Sequence, residues 1–242
     1  MSSTVTHANI LFARAGSKGV PNKNKYLFLG KFPSFEIPLV SAIESRSPTY
    51  ICTDDFIIEK SSVARGAIPI ERPAHLATDD SLLQDAIHYC YQMVLKDFDV
   101  VTILLANAPY VNTQLILQSL EILKNNPTLD SVVTTTKLPM FAPERAKRNV
   151  NNMLVPYSPE LPNVSCSRNS HSGAYFPNGG LTTVRSTCLA DMSKNTPPLL
   201  WMGRNIGFIE QGSGLGDIDE PWQISVVEAW LKQNLDDQNV KN

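Results

Sequence analysis

A run of six residues, Ala8-Asn-Ile-Leu-Phe-Ala13, is followed at once by a loop carrying four cations and two glycines, Arg14-Ala-Gly-Ser-Lys18-Gly-Val-Pro-Asn-Lys23-Asn24-Lys25. A short apolar run bounded by turn residues reads as a strand buried on both faces. Such a strand needs helices above and below it, and the rest of the chain supplies the alternation. Further short strands are expected at Tyr50-Ile-Cys-Thr53, Ala67-Ile-Pro-Ile70, Val100–Leu105, Ser131–Lys137, Thr182-Thr-Val184 and Ile206-Gly-Phe-Ile209. Pro69 marks the second of these as an edge strand. Strands alternating with helical patterns predict a wound α/β sheet.

The helices announce themselves by their ends and stripes. Asp54 and Asp55 are placed to cap a helix over 56–65, with Gly66 as its stop. Asp80 and Ser81 are placed to cap a helix reaching to about Lys96, along which Leu83, Ala86, Ile87, Cys90 and Val94 share one face. Residues 113–125 read as a helix stopped by Pro127. Pro221 suits the first helical position of a last helix with Ile224, Val227 and Leu231 as its buried stripe.

At 242 residues the chain fits one α/β domain spanning 1–242. Over 139–177 the periodicity breaks down into Pro, Asn and Ser, and so long an irregular span points to function. This excursion suits a hairpin or arm for dimerisation or substrate binding. With 43% hydrophobic and 18% charged residues, disorder and coiled coil are excluded. A net charge of −2 is wrong for a dedicated nucleic-acid binder or a polybasic membrane anchor, so any cationic site is local. Cysteines at 52, 90, 166 and 188 form no CxxC pair. They read as free thiols of a cytoplasmic protein. Residues 1–13 lack the basic start of a signal peptide, and no apolar stretch approaches ~20 residues. His7, His75, His88 and His171 have no metal spacing, and Ser17 has no His or Asp partner for a nucleophile.

The cationic loop is neither GxxxxGK[ST] nor GxGxxG. Glycines nevertheless let backbone N–H groups approach an anion, and Lys and Arg neutralise it. Its place after a strand is where α/β folds bind phosphates. Phosphate binding is therefore expected, against the alternative of a solvated basic turn.

The loop resembles the signature of the CMP-sialic acid synthetases, the N-acylneuraminate cytidylyltransferases: Arg-x-x-Ser-Lys-Gly-x-Pro-x-Lys-Asn, with every fixed position present from Arg14 to Asn24. The similarity continues through Cys52-Thr-Asp-Asp55, Arg72-Pro-x-x-Leu76-Ala77-x-Asp79, Asn178-Gly-Gly180 and Gly216-Asp217-Ile-Asp219-x-Pro221. The blocks stand in family order across residues 8–232.

The resemblance implies a three-layer α/β/α Rossmann-like nucleotidyltransferase domain with a mixed, mainly parallel sheet. It implies transfer of CMP from CTP to the anomeric hydroxyl of a sugar acid, with release of pyrophosphate. Arg14, Lys18 and Lys23 are then the cations that stabilise charge on the leaving pyrophosphate. Ser17 and Asn24 add hydrogen bonds to phosphate oxygens, while Lys25, outside the motif, is expected to face solvent. Arg72 is the candidate reader of cytosine O2 and N3, with a carbonyl near Leu76 or Ala77 accepting from the base amino group. Asp217 and Asp219 match the family's metal motif, for Mg²⁺. In the resembled family this excursion builds a homodimer, so the resemblance implies one here.

The sugar side departs from the pattern. Where relatives carry a Gln after the central strand, this chain has Asn107. Of two arginines eight residues apart, Arg168 matches the first and Phe176 replaces the second, removing a bidentate partner for a carboxylate. Tyr175, Phe176 and Asn178 are the remaining candidates on that side. The expected acceptor is a nonulosonic, sialic-type acid, with Kdo and legionaminic- or pseudaminic-type acids as alternatives. A nucleotide-binding module without catalysis is the competing class, against which the intact set Arg14, Lys18, Lys23, Asp217 and Asp219 weighs.

Overall fold

A computed structural model of the chain describes residues 5–17, 19–161, 174–212 and 216–239. In order they form β1 (His7–Ala13), β2 (Leu27–Phe28), β3 (Phe32–Pro33), α1 (Glu36–Glu44), β4 (Thr49–Thr53), α2 (Phe56–Ala64), β5 (Ile68–Glu71), α3 (Leu83–Met93), β6 (Val100–Leu105), α4 (Thr113–Asn125), β7 (Ser131–Lys137), β8 (Lys147–Val150), β9 (Met153–Pro156), β10 (Tyr175–Arg185), α5 (Thr187–Ala190), β11 (Ile206–Gln211) and α6 (Pro221–Asn239). Seven strands make one sheet in the order β11-β7-β10-β6-β1-β4-β5. β10 runs antiparallel to both its neighbours and every other pairing is parallel. The mixed, mainly parallel sheet is therefore borne out, and β5 is the edge that Pro69 announced.

The alternation of side chains along β1 shows why helices lie on both faces. Leu11 and Ala13 join Phe35, Leu39 and Ala42 around α1, with Ile58 of α2 and Ile116 of α4 in the same cluster. Ile10 and Phe12 point the other way, to Ala86, Ile87 and Cys90 of α3 and Leu189 of α5. Burying a side chain such as Ile10 or Leu11 stabilises by ~1.5–3 kcal/mol each, so the continuous apolar strand is the thermodynamic centre of the fold. Beyond the sheet, Val227 and Leu231 of α6 pack with Val20, Phe28, Tyr110 and Ile218. Among the described residues no helix is long and apolar enough to cross a membrane.

Several local expectations change. α1 begins at Glu36, where the preceding Phe35 supplies no side-chain cap, and carries Pro38 in its first turn, where a missing N–H costs nothing. α3 starts at Leu83, not at Asp80 or Ser81, and ends at Met93. Ser81 is engaged elsewhere: its hydroxyl donates to the carbonyls of Leu76 (2.8 Å) and Thr78 (2.7 Å). The strand expected at 182–184 begins at Tyr175. Between Pro177 and Thr182 its register slips, five positions along β10 facing two along β7, so Asn178-Gly-Gly180 is a bulge inside the sheet. The excursion contains the hairpin β8–β9, while Arg168, His171 and Cys166 lie outside the described residues, as does Lys18.

β1 lies between β4 and β6, and the chain leaves β1 toward one side of the sheet and β6 toward the other. The crevice beyond the carboxyl ends of such diverging strands is where wound sheets bind ligands. Arg14 follows the first of those ends directly, and Asn107 stands two residues past the second.

Candidate active site

The loop after β1 is pinned at four points. The Thr53 hydroxyl donates to the Ala13 carbonyl. The Ala15 N–H donates to Asp54 Oδ1 (2.7 Å), and Asn24 Nδ2 donates to the Arg14 carbonyl (2.9 Å). Lys25, expected in solvent, instead pairs with buried Asp55 at 2.6 Å. Asp55 also caps α2, accepting from the N–H groups of Ile57 and Ile58. Burial opposes ionisation of Asp55, but Lys25 and the two N–H groups outweigh it and hold the carboxyl below its ordinary value. Capping and pairing thus fix the loop's end to a helix. At Gly16, φ is +73°, a conformation that excludes most side chains.

Arg14 and Lys23, the loop's other cations among the described residues, face inward. Arg14 Nη1 lies 2.9 Å from Asp79 Oδ1 and donates to the Thr78 carbonyl (3.0 Å). Lys23 Nζ lies 2.5 Å from Asp219 Oδ1. Together with Asn24, Arg72, Ser81 and Asn107 they line a cleft of about 220 Å³. Ser17 is partly buried in the same loop.

Asp217 and Asp219 enter this cleft from the stretch before α6, with Ile218 between them turned into the core. Burial first, and then the like charge of Asp219, push the Asp217 carboxyl above its ordinary value, while Lys23 and Asn107 pull it down. Asn107, the residue standing where relatives carry Gln, grips this stretch. Its side-chain amide donates to the Ile218 carbonyl (3.1 Å) and its carbonyl accepts from the Ile218 N–H (2.9 Å). Asn107 is thereby a brace for the acids as well as a cleft residue.

Arg72 is 6% exposed and forms the wall between this cleft and a wider one of about 720 Å³. Its Nε donates to the Leu76 carbonyl (2.7 Å), and no hydrogen bond among the described residues occupies its terminal nitrogens. Burial lowers the pKa of the guanidinium, so the charge gains by meeting an acceptor. Ala77 lines the wider cleft, not the one holding Arg14 and Asn24, and the Leu76 carbonyl is already taken by Arg72 and Ser81. Ser81, which sequence reasoning gave to a helix cap, stands instead on the wall of the smaller cleft.

Beyond Asp217 the cleft continues into a second pocket of about 230 Å³. Leu83, Leu105 and Asp217 are common to both, and Leu199, Trp201 and Met202 complete its apolar wall. Gly179, at φ +71°, is held against Asp217: a Cβ there would lie 3.0 Å from Asp217 Cβ. Asn178 does not reach either pocket's lining. Its amide is spent inside the sheet, accepting from Thr134 Oγ1 (2.7 Å) and the Gly180 N–H (3.1 Å) and donating to Gln211 Oε1 (2.7 Å). Its part is to shape the bulge that brings Gly179 to Asp217. Tyr175, the first residue of β10, packs on Phe208 with Lys137 above its ring and lines neither pocket.

One residue that sequence reasoning passed over completes the arrangement. Gln223 Oε1 accepts from the N–H groups of Asp219 (2.7 Å) and Glu220 (2.6 Å), and its Nε2 donates to the Asp217 carbonyl (2.8 Å). A Gln at the third position of a helix that starts at Pro221 is the signal that could have found it.

The site has the makings of a nucleotide triphosphate cleft: cations on a strand-end loop, a buried guanidinium at one wall and paired carboxylates at the other. The sequence model of the cytidylyltransferase family matches residues 8–167, more than half of the chain. A CMP-N,N'-diacetyllegionaminic acid synthase of Legionella pneumophila is 28% identical over 239 residues, covering 93% of this chain and 96% of that protein. Among solved structures, a CMP:2-keto-3-deoxy-manno-octonic acid synthetase complexed with CTP superposes with a TM-score of 0.68 at 18% identity, covering 95% of this chain and 99% of the other. A 4-diphosphocytidyl-2C-methyl-D-erythritol synthase from Anaerococcus prevotii gives 0.65 at 14% identity, covering 94% and 96%. These two likenesses concern the fold, and they match the layered nucleotidyltransferase architecture expected from the motifs. On the strength of the family match, the chain belongs to the cytidylyltransferase family and is an enzyme of that class.

Proposed function

We propose that this enzyme transfers CMP from CTP to the anomeric hydroxyl of a nonulosonic acid, a nine-carbon sugar acid of the sialic or legionaminic type. The observation that carries the reading is Asp217, a carboxylate on the wall common to the cationic cleft and the apolar pocket beside it. A triphosphate held by Arg14 and Lys23 and an acceptor seated against Leu199 and Trp201 would meet there. The relative from Legionella supports the nine-carbon acid by its name. The apolar wall suits an acyl substituent better than a bare polyol.

In this reading the triphosphate displaces Asp79 and Asp219 as partners of Arg14 and Lys23, with Lys18 and Ser17 on the same loop. The anomeric oxygen attacks the α-phosphorus, its proton is lost, and the bond from that phosphorus to the bridging oxygen of pyrophosphate breaks. Charge gathers on the departing pyrophosphate, where preorganised cations stabilise the transition state more than bound CTP. Asn24 keeps the loop's spacing through the Arg14 carbonyl. Arg72 reads the base with its terminal nitrogens: cytosine offers acceptors at O2 and N3, and uracil offers a donor at N3.

Asp217 and Asp219 fit a divalent cation of the Mg²⁺ type. Among the described residues no group of three or more His, Cys, Asp or Glu gathers, so the protein offers two carboxylates and the rest of the shell must come from water and phosphate oxygens. The Lys23 ammonium bonded to Asp219 supports the reading, as a positive charge already held at this wall. Such an ion, when bound, polarises the α-phosphate and acidifies a nearby hydroxyl.

The hairpin β8–β9 leaves Met153 and Leu154 62% and 77% exposed, and the exposed rings of Phe141 and Phe176 meet edge to face. We take this surface as the contact between two copies of the chain, which sedimentation at micromolar concentration tests. The activity itself is tested by a panel of nucleoside triphosphates against nine-carbon acids and Kdo, following pyrophosphate and CMP-sugar. CTP with a nine-carbon acid should turn over fastest. Faster turnover with Kdo, or none with any acid, would overturn the acceptor assignment.

A further inference from the structure

Two carboxylates on one short stretch repel each other, and the segment that carries Asp217 and Asp219 belongs to no helix or strand that would fix their spacing. The side chain of Gln223 supplies what is missing. One amide binds the backbone of three residues: the Asp217 carbonyl, the Asp219 N–H and the Glu220 N–H. A capping residue at this position needs only the N–H groups beside the helix start. The bond to the Asp217 carbonyl lies upstream of them and adds nothing to the helix. On the other side, Asn107 holds Ile218 by both its backbone groups. Asp217 and Asp219 therefore flank a residue gripped by Asn107, and their own backbones are gripped by Gln223.

We infer that Gln223 is a positioning residue for the cation site: its amide sets the spacing and aim of the two carboxylates through their backbone. The inference rests on the reading of Asp217 and Asp219 as metal ligands, and it makes a specific separation possible. Gln223→Glu keeps acceptor oxygens for the two N–H groups and so keeps the helix cap. It loses the donor to the Asp217 carbonyl and sets two oxygens against each other there. The added negative charge would by itself favour a cation, so weaker binding in this variant can come only from lost positioning. Gln223→Ala removes all three bonds.

The test is Mn²⁺ binding followed by electron paramagnetic resonance, with and without CTP, alongside thermal melting. Gln223→Glu should melt within about 2 °C of the parent, less than a 1 kcal/mol loss would give, yet bind Mn²⁺ ~10-fold more weakly. Gln223→Ala should melt lower and bind at least as weakly. In turnover, Gln223→Glu should need more Mg²⁺ for half-maximal rate and recover kcat when Mg²⁺ saturates. Wild-type Mn²⁺ affinity in either variant overturns the inference, as does the absence of any Mn²⁺ binding to the parent protein. The readout does not depend on the acceptor: if no sugar acid accepts CMP, the transferase reading fails while the Mn²⁺ comparison still decides the role of Gln223.

Discussion

A Cβ on Gly19 would lie 2.1 Å from the carbonyl oxygen of Asp219. The cationic loop after β1 and the acidic stretch before α6 are thus in backbone contact, at opposite ends of the sequence. The glycine is required by this approach. Gly19→Ala forces the loop or the acids to move, at a cost of ~1–3 kcal/mol for overpacking. Turnover should fall by ~10²-fold, because a misplacement of about 1 Å is enough for that loss. Steady-state kinetics and melting check it; a variant with parental kcat would show that loop and acids work without their close contact.

Asp217 sits in a partly dry place where burial and Asp219 disfavour its charge. Removing that charge relieves the repulsion, so Asp217→Asn should melt at or above the parental temperature. The same change should lower Mg²⁺-dependent kcat by ~10²-fold or more if the carboxylate serves the transition state. A variant that is fully active at ordinary Mg²⁺ would remove Asp217 from the site's chemistry.

Arg72 is expected to set base choice. Arg72→Ala should weaken CTP by ~10-fold or more, the scale of a bidentate contact to a base edge. Preference for CTP over UTP should shrink with it. Equal losses for the two nucleotides would show that Arg72 only shapes the wall.

His7 offers a prediction about pH. Its Nδ1 meets Ser47 Oγ at 2.7 Å and its Nε2 meets Thr102 Oγ1 at 2.9 Å, and burial lowers its pKa from 6.5 to about 4. The unfolded chain binds this proton more readily than the folded one between those two values. The contribution is therefore fully present above pH 6.5 and is lost as pH falls toward 4, amounting to at most ~3 kcal/mol. Urea unfolding between pH 7.5 and 4.5 should show a smaller loss of stability for His7→Gln than for the parent. Parallel curves would mean that His7 does not contribute to the acid limb.

Much of this was legible before the fold. β6, α4 and β7 fall where apolar runs and Pro127 put them, because each carries its own signal within a few residues. The cationic loop was legible because its chemistry lies in consecutive residues. What escaped depends on partners remote in sequence. Lys25 looked solvated until α2 brought Asp55 to it. Ser81 looked like a cap, but the carbonyls of Leu76 and Thr78 fold back within its reach. α1 has no capping side chain and contains a proline, so neither signal marked it. Asn178 carries a family motif, yet the bulge in β10 turns its amide into the sheet. Gln223 is one polar residue on a surface helix until the stretch before it is seen to need holding.

The central claim is that the sugar's own anomeric oxygen attacks the α-phosphorus of CTP, and isotope tracing tests it most directly. A nonulosonic acid labelled with ¹⁸O at the anomeric hydroxyl is incubated with enzyme, CTP and Mg²⁺, and the products are separated and weighed. The label should be found in the CMP-sugar, in the oxygen that joins sugar to phosphorus, with none in pyrophosphate. Label in pyrophosphate, or release of pyrophosphate with only unlabelled CMP and free sugar, would contradict the account.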